Sequence, residues 1–228
     1  MVRGVGRVSS VSSTTSGKYA PKPAAWAYCE DYVPDSETST LARRAAADLR
    51  LTPPSRGAAQ VLTFLARVVD ARSAVQVGTG TGVAALALLT GMHADGVLTT
   101  IDPEPEHQNI ARQIITGTGI RPQRLRTIAG APLTVLPKLS DAAYDLVLID
   151  GDPLEAHECL EQALRLLRSG GVLVLHHALM GGTVAEPTNQ SDEAVITREV
   201  LQAVHETRAL TPVLLPVGDG ILAAVKNA

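Results

Sequence analysis

Aromatic side chains, cysteines and long apolar runs are all scarce in this sequence of 228 residues. One Trp, four Tyr and one Phe provide few surfaces on which nucleic-acid bases could stack. A net charge of −3 gives no excess of basic groups to attract phosphates, so we expect no nucleic-acid partner. Two cysteines form no disulfide framework, which indicates a reducing, cytoplasmic environment. No apolar run is long enough to span a bilayer, so we expect no membrane association.

The remaining composition, 45% hydrophobic and 19% charged, is typical of one globular domain with a sizeable core. Residues 1–18 are rich in Gly, Ser and Thr, and we predict a disordered tail there. Residues 19–228 are predicted to form a single domain, in which residues 19–70 are an N-terminal helical cap segment. This segment holds Tyr19, Trp26, Tyr28 and Tyr32, which we expect to dock on the domain itself, on a partner subunit or at the mouth of a ligand site.

Strand and helix patterns alternate along most of the chain. Polar residues ahead of apolar helical repeats predict helices over 36–49 and 56–69, separated by Pro53-Pro54. Continuous apolar runs, typical of buried parallel strands, predict strands that end near Val77, Ile101, Ala129, Ile149 and His176. Further helices are predicted over 81–92, 104–118, 133–139, 154–168 and 191–207.

The C-terminal part departs from this alternation. The strand-like run 213–215 is separated from the run 221–225 only by the turn residues 216–220. Because a parallel crossover needs a dozen residues or more, these two strands must be antiparallel. The predicted fold is therefore an α/β doubly wound sheet, mostly parallel, with a C-terminal antiparallel hairpin.

A glycine-rich loop follows the first predicted strand and leads directly into a helix. Its glycines stand at alternate positions, 78, 80 and 82, so the backbone can turn sharply and approach a ligand. The second strand ends in Asp102, where an acidic side chain accepts hydrogen bonds from a ribose. The alternative role for Asp102 is structural, as an N-cap ahead of Pro103. A dinucleotide fingerprint would need glycine where the chain has Val83, so a nicotinamide dehydrogenase is disfavoured.

Several motifs in order resemble the class I methyltransferases, and more narrowly the catechol/caffeoyl-CoA type, O-methyltransferase family 3. They are the glycine loop, Thr-Ile-Asp102, Gly130-Ala131, the run from Tyr144 through Asp150 to Asp152, residues 166–171, and residues 215–220. The resemblance covers roughly residues 49–226. It implies S-adenosylmethionine (SAM) as the cofactor, a small-molecule methyl acceptor and a homodimer.

The resemblance also implies which residues contact SAM. Gly78, Thr79 and Gly80 would pass close to its methionine part, where Thr52 would add a backbone contact. Asp102 would accept from the ribose hydroxyls, and Ala131 would lie beside the adenine. Members of the family have an acid at the position of Gln76 and a serine at the position of Ala84, so both residues would make weaker contacts here.

The chemical site departs further from the family pattern. Typical members bind a divalent cation through an aspartate, kept here as Asp150, and an Asp-Asn pair, replaced here by His176-His177. The position of a lysine that often serves as base is occupied by Pro153. Since Mg²⁺ and Ca²⁺ prefer oxygen ligands, the inherited metal mechanism is not expected.

Three roles remain open for Asp150, His176 and His177. A histidine could deprotonate the acceptor with Asp150 as its orienting partner, because imidazole titrates near neutral pH. The three residues could instead bind Zn²⁺, Mn²⁺ or Fe²⁺, provided that the strand ends at His176 so that both rings reach one ion. They could also be structural. Asp152 could face the cofactor or cap the helix that follows it.

The sequence thus predicts a SAM-dependent O-methyltransferase that acts without Mg²⁺ on a small hydroxylated molecule of phenolic or catechol type. The missing lysine and Asp-Asn pair leave open a non-catalytic, regulatory SAM-binding protein. A tRNA-modifying methyltransferase is a further alternative, which the acidic composition disfavours.

Overall fold

The structure is a computed structural model that describes residues 23–228, so the predicted disordered tail and Tyr19 lie outside the described residues. The helices are α1 (Pro23–Glu30), α2 (Glu37–Asp48), α3 (Arg56–Val68), α4 (Val83–Gly91), α5 (Pro105–Thr116), α6 (Pro132–Val135), α7 (Ala156–Leu166) and α8 (Asp192–Glu206). The strands are β1 (Ser73–Val77), β2 (Val97–Asp102), β3 (Leu125–Ala129), β4 (Tyr144–Ile149), β5 (Leu167–His176), β6 (Leu210–Leu215) and β7 (Ile221–Lys226). Within this range, no helix is both long and apolar enough to cross a membrane.

The seven strands form one sheet in the order β3-β2-β1-β4-β5-β7-β6. The first five strands pair in parallel, while β7 runs antiparallel to both β5 and β6. This topology confirms the predicted fold class, including the C-terminal antiparallel hairpin. The strand order reverses between β1 and β4, and open α/β sheets bind their ligands at the carboxyl ends of strands at such a point.

Helices cover both faces of the sheet, so its central strands are buried on both sides. One apolar cluster lies between the sheet and the helices α2 to α5, and a second lies between the sheet and α6, α7 and α8. Helix α4 is buried along nearly its whole length, which explains its continuous apolar sequence. The two clusters hold the strand ends in fixed relative positions.

A partly buried carboxylate joins three strands at the amino end of the sheet. Asp145 accepts hydrogen bonds from the backbone N–H groups of Arg72 (2.7 Å) and Ser73 (2.9 Å), and from Nε of Arg168 (2.6 Å). Burial acts to raise the pKa of Asp145, but the bonds from Ser73, Arg72 and Arg168 together lower it. The ionised form of Asp145 therefore stabilises the packing of β1, β4 and β5.

Three predicted boundaries differ from the structure for identifiable reasons. The helix predicted over 133–139 is the single turn α6 followed by a 3-10 turn, because Pro137 has no N–H to continue an α-helix. Helix α4 begins at Val83 rather than residue 81, since Gly82 has a left-handed φ of 92°. Strand β5 begins at Leu167, inside the helix predicted over 154–168, because its pairing with β4 starts there.

The N-terminal segment docks on the domain through a carboxylate rather than through its tyrosines. Tyr28 and Tyr32 are 70% and 73% exposed. Glu30, the last residue of α1, accepts from the N–H groups of Gly57 (2.8 Å) and Gly218 (2.8 Å). Helix α1, which lies in the segment predicted as a helical cap, is thereby linked to the first turn of α3 and to the turn between β6 and β7.

Candidate functional site

The glycine loop forms the floor of a cleft at the carboxyl ends of β1 and β4. Gly78 has a φ of 85°, and a Cβ atom there would lie 2.0 Å from the carbonyl oxygen of Asp150. At Gly80, whose φ is 49°, a Cβ would meet no atom within 4 Å. Gly78 is therefore required by the close approach of two strands, and the space above Gly80 is free for a ligand.

The carboxylate of Asp102 holds this loop in place. Its Oδ2 accepts from the N–H groups of Thr79 (2.8 Å) and Gly80 (3.1 Å), and its Oδ1 accepts from the N–H of Glu104 (2.9 Å). Nδ1 of His107 lies 3.3 Å from the same Oδ1. Asp102 thus fixes the loop, and it is not the N-cap of α5 that the structural alternative predicted, because that position is Glu104.

A chamber of about 410 Å³ lies above the loop. Most of the predicted cofactor residues line it: Thr52, Gly78, Thr79, Gly80, Ala84, Asp102, Asp150 and Asp152. Two predicted residues do not. Gln76 is fully buried beneath the loop, where its Nε2 donates to the Gly78 carbonyl (2.5 Å) and its Oε1 has no partner. Ala131 lines an adjoining crevice of about 150 Å³ together with Gly78 and Asp152.

A second chamber of about 340 Å³ opens beside the first. Much of its wall is apolar and comes from Ile149, Pro153, Ala156, Leu175 and Met180. Thr52, Gly151, Asp152 and His177 line both chambers. Ligands bound in the two chambers can therefore contact each other only at this shared wall.

The two adjacent histidines have different environments. Strand β5 ends at His176, whose side chain is 1% exposed and whose Nδ1 lies 2.7 Å from Oδ1 of Asp150. His177 has a left-handed φ of 57°, which turns the chain as it leaves the strand. The two imidazole rings consequently lie on the same side, with centroids 3.9 Å apart.

The side chain of His177 reaches the shared wall, where it is 28% exposed. Its Nδ1 lies 2.8 Å from Oδ2 of Asp219, and its Nε2 lies 4.0 Å from Oδ1 of Asp150. Asp219 also accepts from the N–H of Gly181 (2.5 Å) through its other oxygen. An aspartate–histidine pair thus faces the junction of the chambers.

Two residues of this region were not predicted from the sequence. Asp219 lies in the turn 216–220, which indicated only a hairpin, although a carboxylate between two glycines was a usable signal. His107 lines the larger chamber, and its spacing of five residues from Asp102 was too weak a signal alone. Asp152 lines both chambers and also accepts from the N–H of Leu154 (2.9 Å), so both of its predicted roles are compatible with its position.

The chemistry of the cluster does not suit Mg²⁺ or Ca²⁺. Asp150, His176 and His177 each present one potential ligand atom, and these atoms lie within 4.8 Å of one another. Two of the three are imidazole nitrogens, whereas these ions require oxygen ligands. Asp150 and His176 are also already hydrogen-bonded to each other.

Negative charge accumulates on the segment that follows β4. Burial raises the pKa of Glu155, and the nearby charges of Asp152 and Glu158 raise it further. Among residues 23–228, no Lys or Arg lines either of the two larger chambers. The cleft therefore favours ligands that carry positive charge over ligands that carry negative charge.

Comparison with known proteins is consistent across sequence and structure. A family model described as O-methyltransferase matches residues 37–227. A Mycobacterium tuberculosis protein named as an O-methyltransferase is 43% identical over 202 residues, covering 89% of this chain and 90% of the relative. A crystal structure from Corynebacterium glutamicum has a TM-score of 0.82 at 30% identity, covering 88% of this chain and 94% of that chain.

One further solved structure supports the fold. It is an O-methyltransferase from Streptomyces achromogenes in complex with SAM, with a TM-score of 0.80 at 24% identity. The alignment covers 89% of this chain and 95% of that chain.

Proposed function

This chain belongs to O-methyltransferase family 3, and we propose that it transfers a methyl group from SAM to a hydroxyl of a small acceptor without a divalent cation. The observation that carries the proposal is the pair of chambers that meet at His177. One has the glycine loop and carboxylate suited to a nucleoside, and the other is a compact, largely apolar cavity. Methyl transfer requires two ligands held side by side, which this arrangement provides.

The residues of the larger chamber fit SAM. The open space above Gly80 admits the ligand, and Gln76 would support the loop from beneath through its hydrogen bond to the Gly78 carbonyl. We assign Thr52, Gly78, Thr79 and the backbone of Ala84 to the methionine end. Asp102 would bind the ribose, Ala131 would lie beside the adenine, and Asp150 and Asp152 would face the cationic part. SAM would supply an electrophilic methyl group on its sulfonium.

Transfer without Mg²⁺ is supported by the donor set of Asp150, His176 and His177 at the junction of the chambers. A cation that activates a hydroxyl must bind its oxygen, and a site of one carboxylate and two imidazoles suits Mg²⁺ poorly. A histidine at the junction can instead accept the hydroxyl proton. We propose this role for the cluster of Asp150, His176 and His177.

The acceptor is proposed to be compact and uncharged or cationic, such as a phenol, catechol or aminophenol. The apolar wall formed by Ile149, Leu175 and Met180 suits an aromatic ring. The carboxylates of Asp152 and Asp219 would repel an anionic acceptor, because no cationic side chain of the described residues lines this chamber.

We also propose a cytoplasmic homodimer in which residues 19–228 form one domain. Cys29 and Cys159 are free thiols, a state that a reducing compartment maintains. Phe64 and Val68, one turn apart on α3, are 65% and 67% exposed, and a second copy of the chain would cover them. Light scattering on the wild type and on Phe64→Lys tests this: the variant should be monomeric, and a wild-type monomer would contradict the proposal.

Calorimetric titration with SAM in EDTA, followed by methyl-transfer assays on phenols and catechols, tests the proposed function. We expect one SAM site, weakened by Asp102→Asn and unaffected by the surface control Asp95→Asn. Transfer should proceed in EDTA and gain little from Mg²⁺, Mn²⁺ or Zn²⁺. SAM binding without transfer to any acceptor would favour the regulatory alternative, and absence of SAM binding would refute the proposal.

A further inference from the structure

We propose that Asp219 is a positioning residue that fixes His177 in the tautomer needed to accept the acceptor's proton. This inference rests on the proposed function and identifies which of the two histidines acts and what orients it. It assigns a role to a carboxylate that the family resemblance marked only as part of a turn.

The hydrogen bond between Asp219 and His177 determines the location of the imidazole proton. An ionised carboxylate only accepts, so at 2.8 Å from Oδ2 of Asp219 the Nδ1 of His177 must carry a hydrogen. In neutral His177 the lone pair is then on Nε2, the atom on the side of Asp150 and the shared wall. When Nε2 takes up a proton, the carboxylate of Asp219 stabilises the resulting imidazolium.

His176 is excluded from this role by its surroundings. Its side chain is only 1% exposed, compared with 28% for that of His177. Within the described chain it lines only the smaller chamber, whereas His177 lines both. His177 is therefore the histidine that can contact an acceptor hydroxyl next to the cofactor.

Asp219 is itself held from several sides, as a positioning residue must be. Its Oδ1 accepts from the N–H of Gly181 (2.5 Å), and its carbonyl accepts from the N–H of Leu179 (2.9 Å). The preceding residue, Gly218, donates to Glu30 (2.8 Å). The carboxylate is thus fixed relative to both β5 and α1.

Each proton and electron pair is accounted for in the methyl transfer. The acceptor O–H proton moves to Nε2 of His177 as the oxygen lone pair forms a bond to the methyl carbon. The carbon–sulfur bond breaks and its electron pair stays on sulfur, which becomes a neutral thioether. His177 then releases its proton to water.

Asp219→Asn separates positioning from a merely structural role. Asparagine can keep the bond to Gly181 by presenting its oxygen there, but its amide then donates to Nδ1 of His177. The imidazole proton is forced onto Nε2, so the base is blocked while the shape of the site is retained. A structural role would leave this near-isosteric variant almost fully active.

With a weakly acidic phenol, we expect Asp219→Asn to lower kcat by on the order of 10²-fold or more, similar to His177→Asn. A nitrophenol is largely ionised at the assay pH, so it is supplied at saturating concentration to offset repulsion by Asp152 and Asp219. The loss of kcat should then shrink to less than about tenfold, because no proton needs removal. The control His205→Asn, on the exposed face of α8, should match the wild type. Near-wild-type activity of Asp219→Asn, or equal losses with both acceptors, would overturn the proposal.

Nitrogen-15 NMR of the imidazoles tests the inference without turnover. We expect the His177 ring to carry its proton on Nδ1 in the wild type and on Nε2 in Asp219→Asn, with the signal assigned by its loss in His177→Asn. A wild-type ring protonated on Nε2 would refute the positioning role even if methyl transfer were observed. Absence of methyl transfer with the expected tautomer would count against the proposed function instead.

Discussion

Glu30 joins three parts of the chain that are distant in sequence, and its replacement should have a large effect. Its two carboxylate oxygens accept from Gly57, at the first turn of α3, and from Gly218, at the turn that carries Asp219. A hydrogen bond to a charged group contributes about 1.5–3 kcal/mol, and a carboxylate at a helix N-terminus adds about 0.3–1 kcal/mol. Since Glu30 is partly exposed, we take the low end and expect Glu30→Ala to cost about 3 kcal/mol.

For a domain of this size, 1 kcal/mol shifts the melting temperature by about 2–4 °C, so Glu30→Ala should melt roughly 6–12 °C below the wild type. Glu30→Gln should lose about half as much, because its amide oxygen can still accept one of the two bonds. Thermal melts followed by circular dichroism measure both. The control is Glu37→Ala, an exposed residue in the first turn of α2, which should change stability by less than about 0.5 kcal/mol.

Activity gives a second readout of the same contact. Loosening the turn 216–220 should disturb Asp219, so Glu30→Ala should also lower kcat when assayed well below its melting temperature. A melting temperature within about 1 °C of the wild type would refute the assigned contribution of these two hydrogen bonds.

Other predictions concern the glycine loop, the sheet and the thiols. Gly78→Ala should abolish SAM binding in calorimetry and destabilise the fold by several kcal/mol. The reason is that its Cβ would lie 2.0 Å from the Asp150 carbonyl oxygen, at a φ of 85° that favours glycine. Retained SAM binding would contradict the loop geometry. The pKa of Asp145 is lowered in the folded state. Its contribution to the free energy of unfolding is therefore fully present above the unfolded pKa near 3.8, and it is lost as the pH falls through the folded pKa. Asp145→Asn should therefore be less stable in urea at pH 7, with a smaller difference from the wild type below pH 3. Burial raises the pKa of the Cys159 thiol to about 12, whereas Cys29 is exposed. Iodoacetamide should therefore label Cys29 in the native protein and Cys159 only after unfolding. Rapid labelling of Cys159 in the native protein would contradict its burial.

The strand ends were predicted closely because local chemistry marks them. Buried parallel strands are continuous apolar runs, and here each run stops at a glycine, an aspartate or a histidine. β1, β3, β4 and β5 end at the predicted residues, and β2 ends one residue later, at Asp102. The hairpin was predictable because a turn of five residues permits only an antiparallel connection.

The helix boundaries were less predictable because backbone details decide them. Pro137 interrupts a helix that the apolar pattern alone would continue, and Gly82 delays the start of α4. Helix α1 carries little amphipathic signal, and the contacts of Glu30 that hold it involve residues 27 and 188 positions away. No local pattern could indicate them.

The candidate site likewise combines contacts that the sequence predicts with contacts that only the tertiary fold determines. The glycine loop and Asp102 lie close together because β1 and β2 are neighbours, which the alternating pattern implied. The pairing of Asp150 with His176 follows from the adjacency of β4 and β5. The pairing of His177 with Asp219 spans 42 residues and depends on the left-handed turn at His177 and the register of β7. Such a contact depends on the tertiary fold rather than on spacing in the sequence.

The most direct measurement is the stoichiometry of methyl transfer in the presence of EDTA. Purified protein, SAM and a neutral phenol or catechol should yield S-adenosylhomocysteine and methylated product in a 1:1 ratio by mass spectrometry, at a rate that added Mg²⁺ does not raise by more than about twofold. Product that forms only after a divalent cation is added would contradict metal-independent transfer by this site.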